Sequence, residues 1–277
     1  SSSGSEILMN QVSNIFRSGN LYGLYIAALG SPTAAIHVED NKVIDLYSDG
    51  SSASIYGTYL SSGGSGIYFY RNRIGHLSAT GSSASVYGIY ATAAVSNTLS
   101  TNLVGNLFSP NSSASNALNG IYLNSGSMNH VFYTSVFLNA ASSGGNFNSN
   151  ALYSSSTVSL NVRNCILINT SSGGTGIAAA VRRSSTSLSS YSVSSNSNLF
   201  YAGNPSSSNV ILQNGATSYQ TLSTMQTALS PRESASVTQT LNFLSLLAYS
   251  PHYLHIHPAV FSSAESSAAS ISGIAQD

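Results

Sequence analysis

The chain has 277 residues, 42% of them hydrophobic, with 8 basic and 8 acidic side chains and zero formal net charge. That balance offers no basic patch for a phosphate backbone, so no nucleic-acid partner is expected. No stretch approaches the roughly 18 consecutive apolar residues of a membrane helix, so no transmembrane segment is expected either.

From the N-terminus, SSSGSEILMN lacks the basic flank and long apolar run of a secretory leader. The following elements come from an internal repeat. Residues 39–59 read EDNKVIDLYSDGSSASIYGTY, and residues 70–90 read YRNRIGHLSATGSSASVYGIY, 31 residues later. Extending the alignment gives a column at Asn10, Asn41, Asn72, Asn102, Thr134, Asn164 and Asn196, with steps of 31, 31, 30, 32, 30 and 32. Two positions further on, Val12, Val43, Ile74, Val104, Val136 and Ile166 form an apolar column that fades at Asn198. A third column runs through Gly23, Gly57, Gly88 and Gly120, then Asn150 and Gly176. The Ser- and Gly-rich stretches between the columns vary in length, as loops projecting from a regular stack do.

The repeats are short alternating runs of β-branched and aromatic residues bounded by Gly, Ser and Asn. Helical repeats would need Glu and Lys in number, and the chain has four Glu and one Lys. The pattern predicts an all-β, right-handed parallel β-helix of about six coils of ~31 residues, each strand pairing with its equivalent one coil up. Residues 1–205 form the coils. Residues 206–277 form a C-terminal capping segment of the same domain, with one short helix over 221–229 ending before Pro231.

In-register stacking assigns roles to the columns. Asn10, Asn41, Asn72, Asn102, Asn164 and Asn196 read as an internal ladder, because each amide donates to one neighbour and accepts from the other. A line of ligand-binding amides is the functional alternative and would need those side chains outside. Asp40 falls beneath Arg71, Asp45 beneath His76, and Lys42 beneath Arg73 as a like-charged exception. This group reads as an exposed flank of weak ion pairs; an active-site groove is the other reading. After each Gly, alternation places Leu24, Thr58, Ile89 and Ile121 inward, with the Gly and Tyr25, Tyr59, Tyr90 and Tyr122 sharing the outer face. That aromatic row is the candidate binding surface, for sugar rings or another protein.

Other candidates are weaker. Cys165 reads as a small buried hydrophobe, since no His lies within about 30 residues to activate a thiol. His255 and His257 share one face of a predicted strand but have no carboxylate or cysteine nearby in sequence. They read as ordinary strand residues, so no metal or cofactor is expected. The acids Glu6, Glu39, Asp40, Asp45, Asp49, Glu233, Glu265 and Asp277 cluster only between Glu39 and Asp49. No carboxylate pair falls on neighbouring coils, as a glycoside hydrolase would need, and no catalytic residue is assigned.

The tail carries a resemblance. Tyr219, Leu222, Met225 and Gln226, then Glu233, Ser236 and Val237, Phe243, then Tyr253, Leu254, His255 and Ile256, and finally Ile271, Gly273, Ile274 and Asp277 follow a definite order. That order resembles the end of the β-helix regions of very large secreted surface proteins of Bacteroidota-type bacteria. The resemblance implies export, often by the type IX route, extracellular display at the cell surface, and adhesive or structural duty without defined catalytic residues. The family usually continues past the position of Asp277, which implies one piece of a longer polypeptide. The expected function is a non-enzymatic structural or adhesive module of such a protein or appendage. The expected partners are other segments of a parent chain, a second copy, or surface glycans. The alternative is a carbohydrate-active enzyme, a polysaccharide lyase or hydrolase, or a carbohydrate-binding module on the same fold.

Overall fold

The computed structural model describes residues 5–27, 34–61, 65–92, 96–156, 158–264 and 268–274; Glu265 and Asp277 lie outside them. The chain winds into a parallel β-helix with three sheets. Six coils each contribute to all three, and a seventh contributes to two. In the second coil the three strands are Ile36–Glu39, Lys42–Ser48 and Ser54–Leu60. We call the sheets they belong to first, second and third. Each pairs in register with its equivalent one coil on, as Val38 does with Phe69, Val43 with Ile74 and Tyr59 with Tyr90. The core is a set of apolar columns such as Val38, Phe69, Leu99, Val131 and Val162, all with no exposed surface. Like stacks on like, so one coil's packing solution serves the next.

The turn between the first and second sheets is a single left-handed residue. Asp40, Arg71, Thr101, Tyr133, Asn164 and Ser197 all have φ between 46° and 58°. The residue after it points inward and forms the ladder. The Asn10, Asn41 and Asn72 amides donate to the Oδ1 of Asn41, Asn72 and Asn102 at 3.0, 3.0 and 3.2 Å. The Asn102 backbone N–H then donates to Thr134 Oγ1 at 3.3 Å. From there the expected column slips. Asn164 occupies the left-handed turn position, and Cys165 holds the ladder site, donating from Sγ to the Val131 carbonyl at 3.2 Å. Burial pushes the Cys165 thiol up to about 12. In the next coil Asn198 is the ladder residue, accepting from the Cys165 N–H at 2.9 Å. Asn196 lies level with Arg163 in the first sheet and accepts from Ala235 N–H. Asparagine identity misled at both positions. The inward apolar partners of Val136 are Leu167 and Phe200, so Ile166 and Asn198 do not belong to that column.

The stack runs beyond residue 205. Asn209–Asn214 pairs parallel with the sixth coil's third strand and turns into an antiparallel strand, Thr217–Tyr219. The helix Leu222–Leu229, capped by Thr221 Oγ1 accepting from the Thr224 N–H, then lays buried Met225 and Leu229 on the end of the core. A buried polar cluster pins this cap. Glu233, fully buried, accepts hydrogen bonds from Tyr191 Oη, Asn198 Nδ2 and Ser236 Oγ. Burial pushes the Glu233 carboxyl up, and the three donors pull it partly back. Arg232 donates to the Tyr191 and Leu188 carbonyls at 2.6 and 3.0 Å, and buried Arg183 reaches Asn214 Oδ1 at 2.7 Å.

The tail does more than close the end. After Val237 bridges to Leu199, the chain doubles back along the outer face of the second sheet. That face carries the column Ile44, Gly75, Gly105, Phe137, Ile168. Gly75 and Gly105 leave a dent. A Cβ at Gly75 would stand 2.7 Å from both Ala248 Cβ and Tyr253 Oη. Tyr253 fills that dent, fully buried, and donates to the Ile74 carbonyl at 3.1 Å. Arg73 Nη1 fixes the tip of the strap by donating to the Ser250 carbonyl at 3.0 Å.

Candidate functional site

The outer face of the third sheet bears tyrosine in two columns. The row read from the sequence is present: Tyr25, Tyr59, Tyr90 and Tyr122 stack with ring centroids 5.2, 5.0 and 5.0 Å apart and planes within 11°. Tyr153 extends it at 4.2 Å, and Arg182 closes it, its guanidinium carbon 5.8 Å from the Tyr153 ring centre. A second column, absent from the sequence reading, comprises Tyr22, Tyr56 and Tyr87, with centroids 4.8 and 5.0 Å apart.

Both columns face outward because alternation breaks between them. The glycine lies on the inner side, not the outer one expected: a Cβ on Gly88 would meet Val104 Cγ1 at 2.4 Å. Ile89 is fully buried as well, so two successive residues face the core. Tyrosines three apart therefore share the outer face. The glycine column continues as Ala151 and Ala180, in place of Asn150 and Gly176. No larger residue would fit beside Val136, whose Cγ1 lies 2.3 Å from a Cβ placed on Gly120.

Rings within a column are parallel, yet rings of neighbouring columns meet at 80–86°. Both conditions hold together when the two columns lean in opposite directions, a herringbone of offset stacks with edge-to-face contacts between them. Ring faces are therefore largely spent on one another. Exposure is greatest at the first coil, where Tyr25 is 55% exposed, and falls along the second column to buried Tyr87. Burial raises the Tyr56, Tyr59 and Tyr87 phenols and pushes Tyr90 up to about 12.

The charged flank lies elsewhere, at the turn between the first and second sheets. Arg71 is chelated by Asp40, at 3.0 Å from Nε and 2.9 Å from Nη2, and by Glu39 at 2.7 Å. His76 contacts Asp45 and Tyr47 Oη. Lys42 and Arg73 are register partners, like charges side by side. With the strap they border a groove of about 1120 Å³.

Tyr253–Ile256, expected as a strand, is a turn joined to Phe243 and Ser245 by isolated bridges. His255 is exposed and its ring meets that of His252 edge to face at 5.9 Å. Among the described residues no three of His, Cys, Asp and Glu gather into a metal-binding group, and no helix is long and apolar enough to cross a membrane. Compared with known proteins, the chain matches no family model, no curated sequence and no solved structure.

Proposed function

We propose that this protein is a non-enzymatic adhesive and structural module, exported and displayed at the cell surface, whose third-sheet face binds glycans. The observation that carries this reading is the double tyrosine column. Its hydroxyls repeat once per coil, at the ring spacing of about 5 Å. That period is close to the advance of one sugar in an extended polysaccharide. Each hydroxyl both donates and accepts, so a glycan lying along the column finds the same partner for each successive residue. The exposed ring edges add apolar contact. Individual contacts are weak, and repetition along the face raises the effective concentration of each next one. The rigid stack keeps the spacing fixed without ordering cost on binding.

The test is the double variant Tyr59→Ser/Tyr90→Ser on a glycan array. The β-sheet circular dichroism should persist, while binding to neutral extended glycans falls about tenfold, equivalent to 1.4 kcal/mol. A folded double variant that binds like the parent would reduce the columns to a structural ladder.

A further inference from the structure

The groove between the strap and the first-to-second-sheet turn is chemically unlike the tyrosine face. Three of the chain's eight basic side chains, Lys42, Arg71 and Arg73, line it. Arg71 is already neutralised by Glu39 and Asp40. Lys42 and Arg73 are not. Among the described residues the Lys42 ammonium has no hydrogen bond or ion pair, and Arg73 contacts a backbone carbonyl but no carboxylate. The two residues are register partners on adjacent strands, so their side chains leave the sheet about 4.8 Å apart at the backbone. Like charges directly opposite one another in a sheet oppose folding. A chain that is 6% charged has placed two of its few cations where they repel.

The rest of the lining explains what would relieve them. Tyr133 and Tyr249 contribute aromatic surface to the lining, and Leu103, Ile166 and Leu254 contribute apolar surface. Tyr249, on the strap, is 61% exposed. The volume slightly exceeds that of a drug-sized ligand site, about 300–1,000 Å³. We infer that this groove is a second, separate binding site, for an acidic glycan: its carboxylate bridges Lys42 and Arg73, and its ring packs against Tyr133 and Tyr249. A guanidinium beside an ammonium suits a carboxylate, since the planar fork takes two oxygens and the ammonium adds a point charge. The strap supplies one wall of the site. The inference does not depend on the tyrosine columns, which lie on another sheet.

Lys42 is the chain's single lysine, which gives a direct probe. Reductive methylation with a carbon-13 label places one side-chain reporter in the groove of the intact protein. Titration with a galacturonic acid trimer should move the dimethyl-Lys42 resonance, with a galactose trimer as the neutral control and sulfate as the bare anion. The uronate should shift it saturably, more tightly than sulfate by at least tenfold, and the neutral trimer should leave it in place. Calorimetry on Lys42→Gln/Arg73→Gln should show uronate binding weakened at least tenfold, while Tyr59→Ser/Tyr90→Ser retains it. Tyr249→Ala, in the exposed strap, should weaken it severalfold and serves if the charge variant fails to fold. Equal response to acidic and neutral trimers, an unmoved Lys42 resonance with the uronate, or sulfate binding as tightly as the uronate would overturn the assignment.

Discussion

The second and third sheets are built from the same coils, yet their outer faces have opposite fates. Each has a glycine column. In the third sheet Gly23, Gly57, Gly88 and Gly120 point inward and make room for Val43, Ile74, Val104 and Val136. In the second sheet Gly75 and Gly105 point outward and make a dent that Tyr253 and Ala248 of the tail occupy. One face is dressed by the chain's own strap, while the other keeps its tyrosines for solvent. A glycine column thus marks a close approach, and which side approaches depends on where alternation breaks.

The hardest way to break this contrast is Tyr253→Ala. It empties a fully buried aromatic site and removes the hydroxyl donor to the Ile74 carbonyl. Truncating a buried aromatic costs about 3–5 kcal/mol, and here the loss falls on the strap's attachment. The strap should release from the second sheet while the coils persist. Limited proteolysis should trim residues 238–274 much faster than in the parent, with the β-sheet signal retained. The Tyr59→Ser/Tyr90→Ser protein should show no such acceleration. Equal trimming of both variants would mean the strap is not held by Tyr253.

Alkaline pH acts on the tyrosine face together with Tyr70 and Cys165, both raised to about 12, and buried Tyr191 and Tyr253, raised further. Burial raises the phenols of Tyr56, Tyr59 and Tyr87, and Tyr90 goes from 10.0 to about 12. A phenol whose folded value is raised favours the folded state when neutral. That contribution is fully present below about pH 10 and is lost as pH rises through about 12. Denaturant midpoints should therefore fall steadily across that window, with phenolate absorbance appearing later than in the unfolded chain. The Tyr59→Ser/Tyr90→Ser variant should lose less stability over the same range. An identical alkaline fall in both would locate the sensitivity outside the columns.

What the sequence made legible follows from how regular each part is. Coil period, sheet type, the first four ladder asparagines and one tyrosine row all repeat about every 31 residues, and repetition reveals them. Tyr22, Tyr56 and Tyr87 repeat as well, in the spacing Y-G-x-Y. Strict alternation from the outer tyrosines would turn them inward, and only the two successive inward residues free them. The ladder was lost at Cys165 because a thiol can take an amide's place when only a small buried polar group is required. The strap left no periodic signal. Its docking joins residues as far apart as Ile74 and Tyr253 through an irregular backbone, and nothing in local pattern encodes that partner. The groove inherits the same opacity, because one wall of it is the strap.

The smallest expected effect concerns Arg71, the most heavily paired residue on the charged flank. Its three contacts to Glu39 and Asp40 look substantial, but the Arg71 side chain is 42% exposed. Water and salt screen such pairs, which typically contribute ~0–1 kcal/mol. Arg71 also sits at φ 54°, a left-handed position. A side chain there costs about 1–2 kcal/mol that glycine avoids. Arg71→Ala should therefore shift stability by less than about 1 kcal/mol. Arg71→Gly should be at least as stable as the Ala variant, because both lose the pair and the relieved backbone offsets glycine's greater freedom when unfolded. Paired denaturation curves of the two variants test this. A glycine variant clearly weaker than alanine would mean the turn's left-handed geometry carries no strain at this position. An alanine variant several kcal/mol below the parent would mean the Glu39–Asp40–Arg71 contacts act as a desolvated network, tying the groove's rim to the first sheet.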